Sequence, residues 1–265
     1  MIGIFDSGVG GMTVARAIEK KLPQYRLIYF GDLARTPYGS KSPETIRKYA
    51  LQNSEFLLSQ GARIILIACN SAASVASDFL REKFSTPIFE VITPAVKKAV
   101  ASTKHGRIGV IGTRATIKSR IYEEKMQALR PGCRVFGTPC PLLVPLVEEG
   151  WLNKRETKMI VRRYLHPLKM KNIDTLVLGC THYPLLKKLI QPRIGKGVKV
   201  IDSSREIAAD LHSFLAENPE TAKTLSSGGE SEYYVSDVTQ AAMETAERIF
   251  GRKMELKLTR QTGNA

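Results

Sequence analysis

Short runs of Ile, Val, Leu and Phe recur along the chain at 2–5, 27–30, 64–68, 88–92, 108–111, 175–178 and 198–201. Most lack strict alternation, which is how strands covered on both faces of a parallel sheet read. Between them the apolar positions change to helical spacing. Segment 12–22 places Val14, Ala17, Ile18 and Leu22 on one side, and segment 43–60 runs into Gly61, a residue suited to ending a helix. Strands alternating with helices predict an α/β fold with mostly parallel sheets.

The pattern also repeats. Ile2-Gly3-Ile4-Phe5-Asp6-Ser7-Gly8 has a counterpart 106 residues on, in Ile108-Gly109-Val110-Ile111-Gly112-Thr113-Arg114. Ile64-Ile65-Leu66-Ile67-Ala68-Cys69-Asn70 has one 111 residues on, in Thr175-Leu176-Val177-Leu178-Gly179-Cys180-Thr181. Two matches at similar offsets predict two related α/β halves, with the Cys69 and Cys180 turns in equivalent places. Ligands of open α/β sheets bind beyond the carboxyl ends of the strands, so a cleft between the halves would set these turns face to face.

Composition narrows the possibilities. The 265 residues suit one large domain or two small ones, and 43% apolar with 25% charged residues excludes a disordered or collagen-like chain. The longest apolar run, 64–69, is six residues, against roughly 18 for a membrane span. No basic segment precedes Ile2, so an export signal is not expected and a cytoplasmic setting is. Four cysteines are too few for a disulfide framework, and without any Cys-x-x-Cys no metal site is expected. The formal charge of +15 is uneven: residues 95–205 hold 23 Lys+Arg against 7 Asp+Glu, the remainder 17 against 18. Such a block reads first as a solvated lysine-rich face, with weak, non-specific nucleic-acid binding as a side activity.

Two turns carry candidate chemistry. Cys69 closes an apolar strand, and Asn70 or Ser71 is placed to cap the Ala-rich helix that follows. Cys180 repeats the arrangement, with Pro184 suited to a first helical turn. A thiol beside a helix N-terminus lies near unpaired N–H groups that favour the thiolate. One thiol with helpers could serve acyl transfer. Two on opposite faces of one carbon can invert it, one removing a proton while the other donates. Asp6 ends the first strand, where its carboxylate could reach the cleft, and His182 is two residues after Cys180 on the same turn, so both are candidates to assist. Asp6-Ser7-Gly8-Val9-Gly10-Gly11 is a glycine-rich turn whose N–H groups could hold an anion. It is not a dinucleotide fingerprint, because Thr13 stands at the third glycine position. Thr113 and Thr116 sit in the equivalent turn of the second half, a further carboxylate site.

Phe5-Asp6-Ser7-Gly8-Val9-Gly10-Gly11, Pro37-Tyr38-Gly39, Ala68-Cys69-Asn70-Ser71-Ala72, Gly112-Thr113 through Thr116, Val144-Pro145-Leu146-Val147-Glu148 and Gly179-Cys180-Thr181-His182-Tyr183-Pro184 together resemble the motif set of the glutamate racemase family, in the family's order. The resemblance implies two pseudo-symmetric α/β domains with mostly parallel sheets and an interdomain active-site cleft, one from 1–94 plus 206–265 and the other from 95–205. It implies a cofactor-independent racemase in which Cys69 acts on D-glutamate, assisted by Asp6, and Cys180 on L-glutamate, assisted by His182 with Glu148. Ser7, Pro37, Tyr38, Gly39, Asn70, Ser71, Thr113, Thr116 and Thr181 would hold the substrate's carboxylates and ammonium. The expected setting is a homodimer making D-glutamate for peptidoglycan, with no membrane partner.

Two features depart from the family pattern. Ser71 stands where the family usually has Thr, keeping the hydroxyl. The chain opens at its first strand, so activation by a peptidoglycan precursor through an N-terminal extension is not expected. The competing readings are a racemase of aspartate or another small amino acid, and a basic nucleic-acid-binding protein on the same fold. Trp151 reads as a packing residue and His105, His166 and His212 as surface or helix-end residues. Cys133 and Cys140 read as ordinary thiols, and 261–265 as a frayed end.

Overall fold

The computed structural model describes residues 1–225 and 227–259; the segment 261–265 lies outside them. In chain order the elements are β1 Ile2–Asp6, α1 Met12–Lys21, β2 Leu27–Gly31, α2 Pro43–Ser59, β3 Ile64–Ile67, α3 Asn70–Lys83, β4 Ile88–Glu90 and α4 Ile92–Ser102. Next come β5 Arg107–Gly112, α5 Arg114–Lys118, α6 Ile121–Leu129, β6 Arg134–Pro139, α7 Leu143–Glu148, α8 Arg155–Met170, β7 Thr175–Gly179, α9 Lys187–Ile194 and β8 Lys199–Asp202. The chain closes with α10 Ser203–Glu217, α11 Pro219–Lys223, β9 Glu232–Val235, α12 Gln240–Phe250 and β10 Lys257–Leu258.

The strands form two sheets, ordered β10-β9-β2-β1-β3-β4 and β6-β5-β7-β8, with every named pair parallel. The two repeats seen in sequence become equivalent central strand pairs, β1 beside β3 and β5 beside β7. Phe5 registers with Ile67 in the first and Gly112 with Gly179 in the second. The residues just beyond these strand ends therefore share one end of each sheet.

Alternation across the second sheet explains its two cores. Ile108, Val110, Val177 and Ile201 face one way and join the large core of the first sheet, while Ile111, Leu176, Leu178 and Val200 face a smaller one with α8 and α9. Helices α4 and α10 pack together between the sheets. Local chemistry sets the helix starts. Ser42 accepts the Thr45 N–H ahead of α2, and Asp202 accepts that of Ser204 ahead of α10. The strand read at 88–92 stops at Glu90, because its buried carboxylate accepts the N–H groups of Ile92 and Thr93 and starts α4.

Candidate active site

Asp6 ends β1 with its side chain buried. Its Oδ2 accepts the N–H groups of Gly8 at 3.1 Å and Gly11 at 3.0 Å, and Oδ1 accepts the Thr181 hydroxyl at 3.4 Å. The glycine-rich turn does hold an anion, but it is the protein's own carboxylate. The glycines are needed for fit. A Cβ on Gly11 would lie 2.3 Å from Asp6 Cβ, and one on Gly10 would lie 2.4 Å from the His182 ring. Burial raises the Asp6 pKa, against the lowering effect of His182 and these hydrogen bonds.

Cys69 itself occupies the N-cap of α3, so Asn70 and Ser71 are its first helical residues, not its caps. The Cys69 thiol donates to Ser7 Oγ at 3.5 Å, and the N–H groups of Ser7 and Ala72 turn toward the sulfur. The expectation of a favoured thiolate fails here. Burial, followed by the negative charge of Asp6, outweighs those donors and pushes the thiol up to about 12. Cys69 is therefore protonated at neutral pH.

The second turn has the opposite sign. Cys180 Sγ lies 3.8 Å from His182 Nδ1, and His182 Nε2 lies 3.1 Å from Glu148 Oε1 at the end of α7. Burial acts to lower the His182 pKa, but the hydrogen bonds and charges of Cys180 and Glu148 prevail and push it up to about 10. A buried imidazolium thus stands between a sulfur and a carboxylate. Thr13 ties this turn to the first half by donating to Thr181 O at 3.0 Å and to Gly10 O at 2.9 Å.

Both thiols line one small cavity of about 30 Å³. Ser7, Asn70 and Ser71 join Cys69 on its wall, Thr113, Thr181 and His182 join Cys180, and Pro37, Tyr38 and Gly39 enter from the loop after β2. Ser71 and Thr113 meet across it, hydroxyl to hydroxyl at 2.8 Å. Asp6 and Glu148 stand behind the wall, each behind its own partner. Thr116 also stands behind, buried with its hydroxyl 3.1 Å from that of Thr113. Tyr38 contributes its place in the loop, since its hydroxyl donates to buried Asp32 and accepts from Asn53 Nδ2 at 3.0 Å. Thr36 and Val144 complete the wall. Thr36 gives no sequence signal of chemistry, and Val144 signals only through its place in a motif.

Features outside the site are plainer. A roomier groove of about 650 Å³ lined by Arg16, Lys20, Lys21 and Arg205 holds neither paired thiol. Cys133 and Cys140 are free and buried. His105, His166 and His212 are exposed. Trp151, expected to pack, is 43% exposed. Among the described residues no three His, Cys, Asp or Glu side chains gather as a metal site needs, and no helix is long and apolar enough to cross a membrane.

A model of the Asp/Glu/Hydantoin racemase family matches residues 12–211. This chain belongs to that family. It is 44% identical over 253 residues to a glutamate racemase of Geobacter metallireducens, covering 96% of this chain and 93% of that protein. It is 45% identical over 258 residues to the glutamate racemase of Aquifex aeolicus, covering 97% of each. Among solved structures, a glutamate racemase from Francisella tularensis in complex with D-glutamate superposes with a TM-score of 0.90 at 36% identity, over 98% of this chain and 97% of that one. Membership makes the chain a racemase, an isomerase acting at a stereocentre.

Proposed function

We propose that this protein interconverts L- and D-glutamate by two-base proton transfer without a cofactor. The observation that carries the reading is a pair of thiols on one cavity wall, supplied by equivalent turns of two sheets and backed by helpers of opposite charge. With L-glutamate bound, a Cys180 thiolate takes the α-proton and the electron pair passes into the α-carboxylate. The Cys69 thiol then delivers its proton to the opposite face, which gives D-glutamate, a Cys180 thiol and a Cys69 thiolate. Turnover of D-glutamate runs the same steps in reverse. Protonated His182 offers a counter-charge to sulfur at Cys180, and Asp6 receives help from Thr181 and the Gly8 and Gly11 amides in doing the converse at Cys69. Positioned acid–base groups of this kind contribute about 10²–10⁴-fold each.

Hydroxyls of Ser7, Ser71, Thr113 and Thr181, the Asn70 amide and the 37–39 loop supply the polar contacts for the substrate's carboxylates and ammonium, with Thr116 steadying Thr113. A cavity of about 30 Å³ has the volume of roughly one water, so substrate binding parts the Ser71–Thr113 contact and the walls it joins. The units that part are taken as 1–94 plus 206–265 and 95–205. The protein works as a cytoplasmic homodimer supplying D-glutamate to peptidoglycan, with weak, salt-sensitive nucleic-acid binding as a side property. The test is the circular dichroism of L-glutamate after adding purified protein and no cofactor. Decay of the signal to zero is expected; a constant signal overturns the reading.

A further inference from the structure

Tyr122, on α6, is buried and has no part in the proton transfer above. Its hydroxyl donates at 2.7 Å to Asn70 Oδ1, on a residue that follows Cys69 directly. Its ring lies against the backbone of Gly179, which precedes Cys180: a Cβ there would come within 3.3 Å of Tyr122 Cε2. One side chain thus touches the immediate neighbours of both thiols. Burial, with the negative charges of Glu90 and Cys180, holds the phenol well above its usual range, so it remains a donor. A donor here claims the amide oxygen and leaves the amide nitrogen on the other side. Among the described residues Asn70 Nδ2 is buried with no hydrogen-bond partner, although Asn70 lines the cavity. A buried N–H group without a partner is costly unless a ligand completes it.

We propose that Tyr122 is a positioning residue: anchored on the Cys180 turn, it turns the Asn70 amide so that its NH₂ faces the substrate and binds a carboxylate oxygen. The proposal rests on the racemase reading above. The phenol touches no substrate and acts only through Asn70. A role in packing alone would not require the hydroxyl, because Tyr122→Phe keeps the ring on Gly179.

The experiment compares wild type, Tyr122→Phe, Asn70→Ala and the double variant. Tyr122→Phe is expected to raise KM for both enantiomers about tenfold, the loss of one oriented hydrogen bond, while kcat stays within about threefold. In the Asn70→Ala background the same change should add nothing to KM. A KM within about twofold of wild type, or full additivity in the double variant, overturns the proposal. The Asn70 side-chain amide signal in ¹⁵N spectra, assigned by its loss in Asn70→Ala, gives a readout that needs no turnover. It should shift in Tyr122→Phe, and an unmoved signal also overturns the proposal. If wild type fails to racemise glutamate, the function reading falls, and the amide signal alone decides the role of Tyr122.

Discussion

The Cys69 and Cys180 turns share a backbone plan and differ in charge. Each follows a central parallel strand buried on both faces, and each thiol sits where the next helical turn begins. At Cys69 burial and then the negative charge of the buried Asp6 carboxylate push the thiol up to about 12. At Cys180 the sulfur lies 3.8 Å from an imidazole whose pKa is pushed up to about 10. A repeated fold element fixed where the sulfurs stand, and three unrepeated residues, Asp6, His182 and Glu148, set the charge that each sulfur faces. The site therefore sets a protonated thiol at Cys69 opposite a sulfur at Cys180 that faces a positively charged ring, the asymmetry on which the proposed two-base exchange rests.

The strongest break in this comparison removes either sulfur. Cys69→Ala and Cys180→Ala should each lower racemisation by about 10²-fold or more, because inversion needs a base and an acid together. Solvent deuterium exchange separates the halves: Cys69→Ala should keep α-proton exchange from L-glutamate, and Cys180→Ala from D-glutamate. Either variant retaining more than roughly a tenth of wild-type racemisation would remove that cysteine from the pair.

A subtler break weighs more on one side. Gly10→Ala places a methyl group 2.4 Å from the His182 ring and 2.7 Å from the Thr181 hydroxyl that serves Asp6. Overpacking of this kind costs about 1–3 kcal/mol, and it displaces the helper of Cys180. Exchange from L-glutamate should fall about tenfold further than exchange from D-glutamate, reflecting a lost acid–base positioning effect. Equal losses from both enantiomers would show that the two turns are not independently assisted.

Much of this was legible before the fold was known, and the reasons differ by element. β1, β3, β5 and β7 are apolar runs because both faces are covered, so the sequence displays them directly. β6, β9 and β10 were silent. β6 is a sheet edge that leaves Arg134, Thr138's neighbour Pro139 and other positions partly or fully open, β9 carries Glu232, and β10 is two exposed residues. The cysteines, Asp6 and His182 stand out because their residue types and turns are distinctive. The acidity of Cys69 did not, because the helix end is local while the burial and the Asp6 charge come from another strand. Tyr122 was hidden for the same reason: its contact with Asn70 spans 52 residues and two sheets.

The charge difference also has a pH consequence. The folded His182 pKa is raised from an ordinary value of 6.5 to about 10, because hydrogen bonds to Cys180 and Glu148 outweigh burial. Its contribution to stability is complete below pH 6.5 and is lost as pH rises through 10. The urea midpoint should therefore decline across that window in wild type. His182→Gln should flatten the decline while lowering the midpoint at neutral pH. An unchanged slope in that variant would place the charge of the Cys180 turn elsewhere.

The smallest effect on turnover is expected from the basic surface. Helix α8 buries Thr157, Val161, Leu165 and Leu168, and turns Lys158, Arg162, Arg163 and Lys169 to solvent. Most of the excess charge of residues 95–205 is of this kind, on faces that do not meet the cavity. Salt screens such charges over about 8–10 Å, so they add little to proton transfer at a closed site. They can still hold a polyanion by releasing its counterions. Reversing Lys154, Lys158 and Lys169 to Glu should therefore weaken retention on DNA at low salt and leave glutamate turnover within about twofold of wild type. Retention should collapse as salt rises, with a shallower slope in the variant because fewer phosphates are neutralised. Binding that survives high salt or distinguishes DNA sequences would instead require a dedicated nucleic-acid site, and a large loss of turnover would mean that the basic face reaches the thiols through the fold.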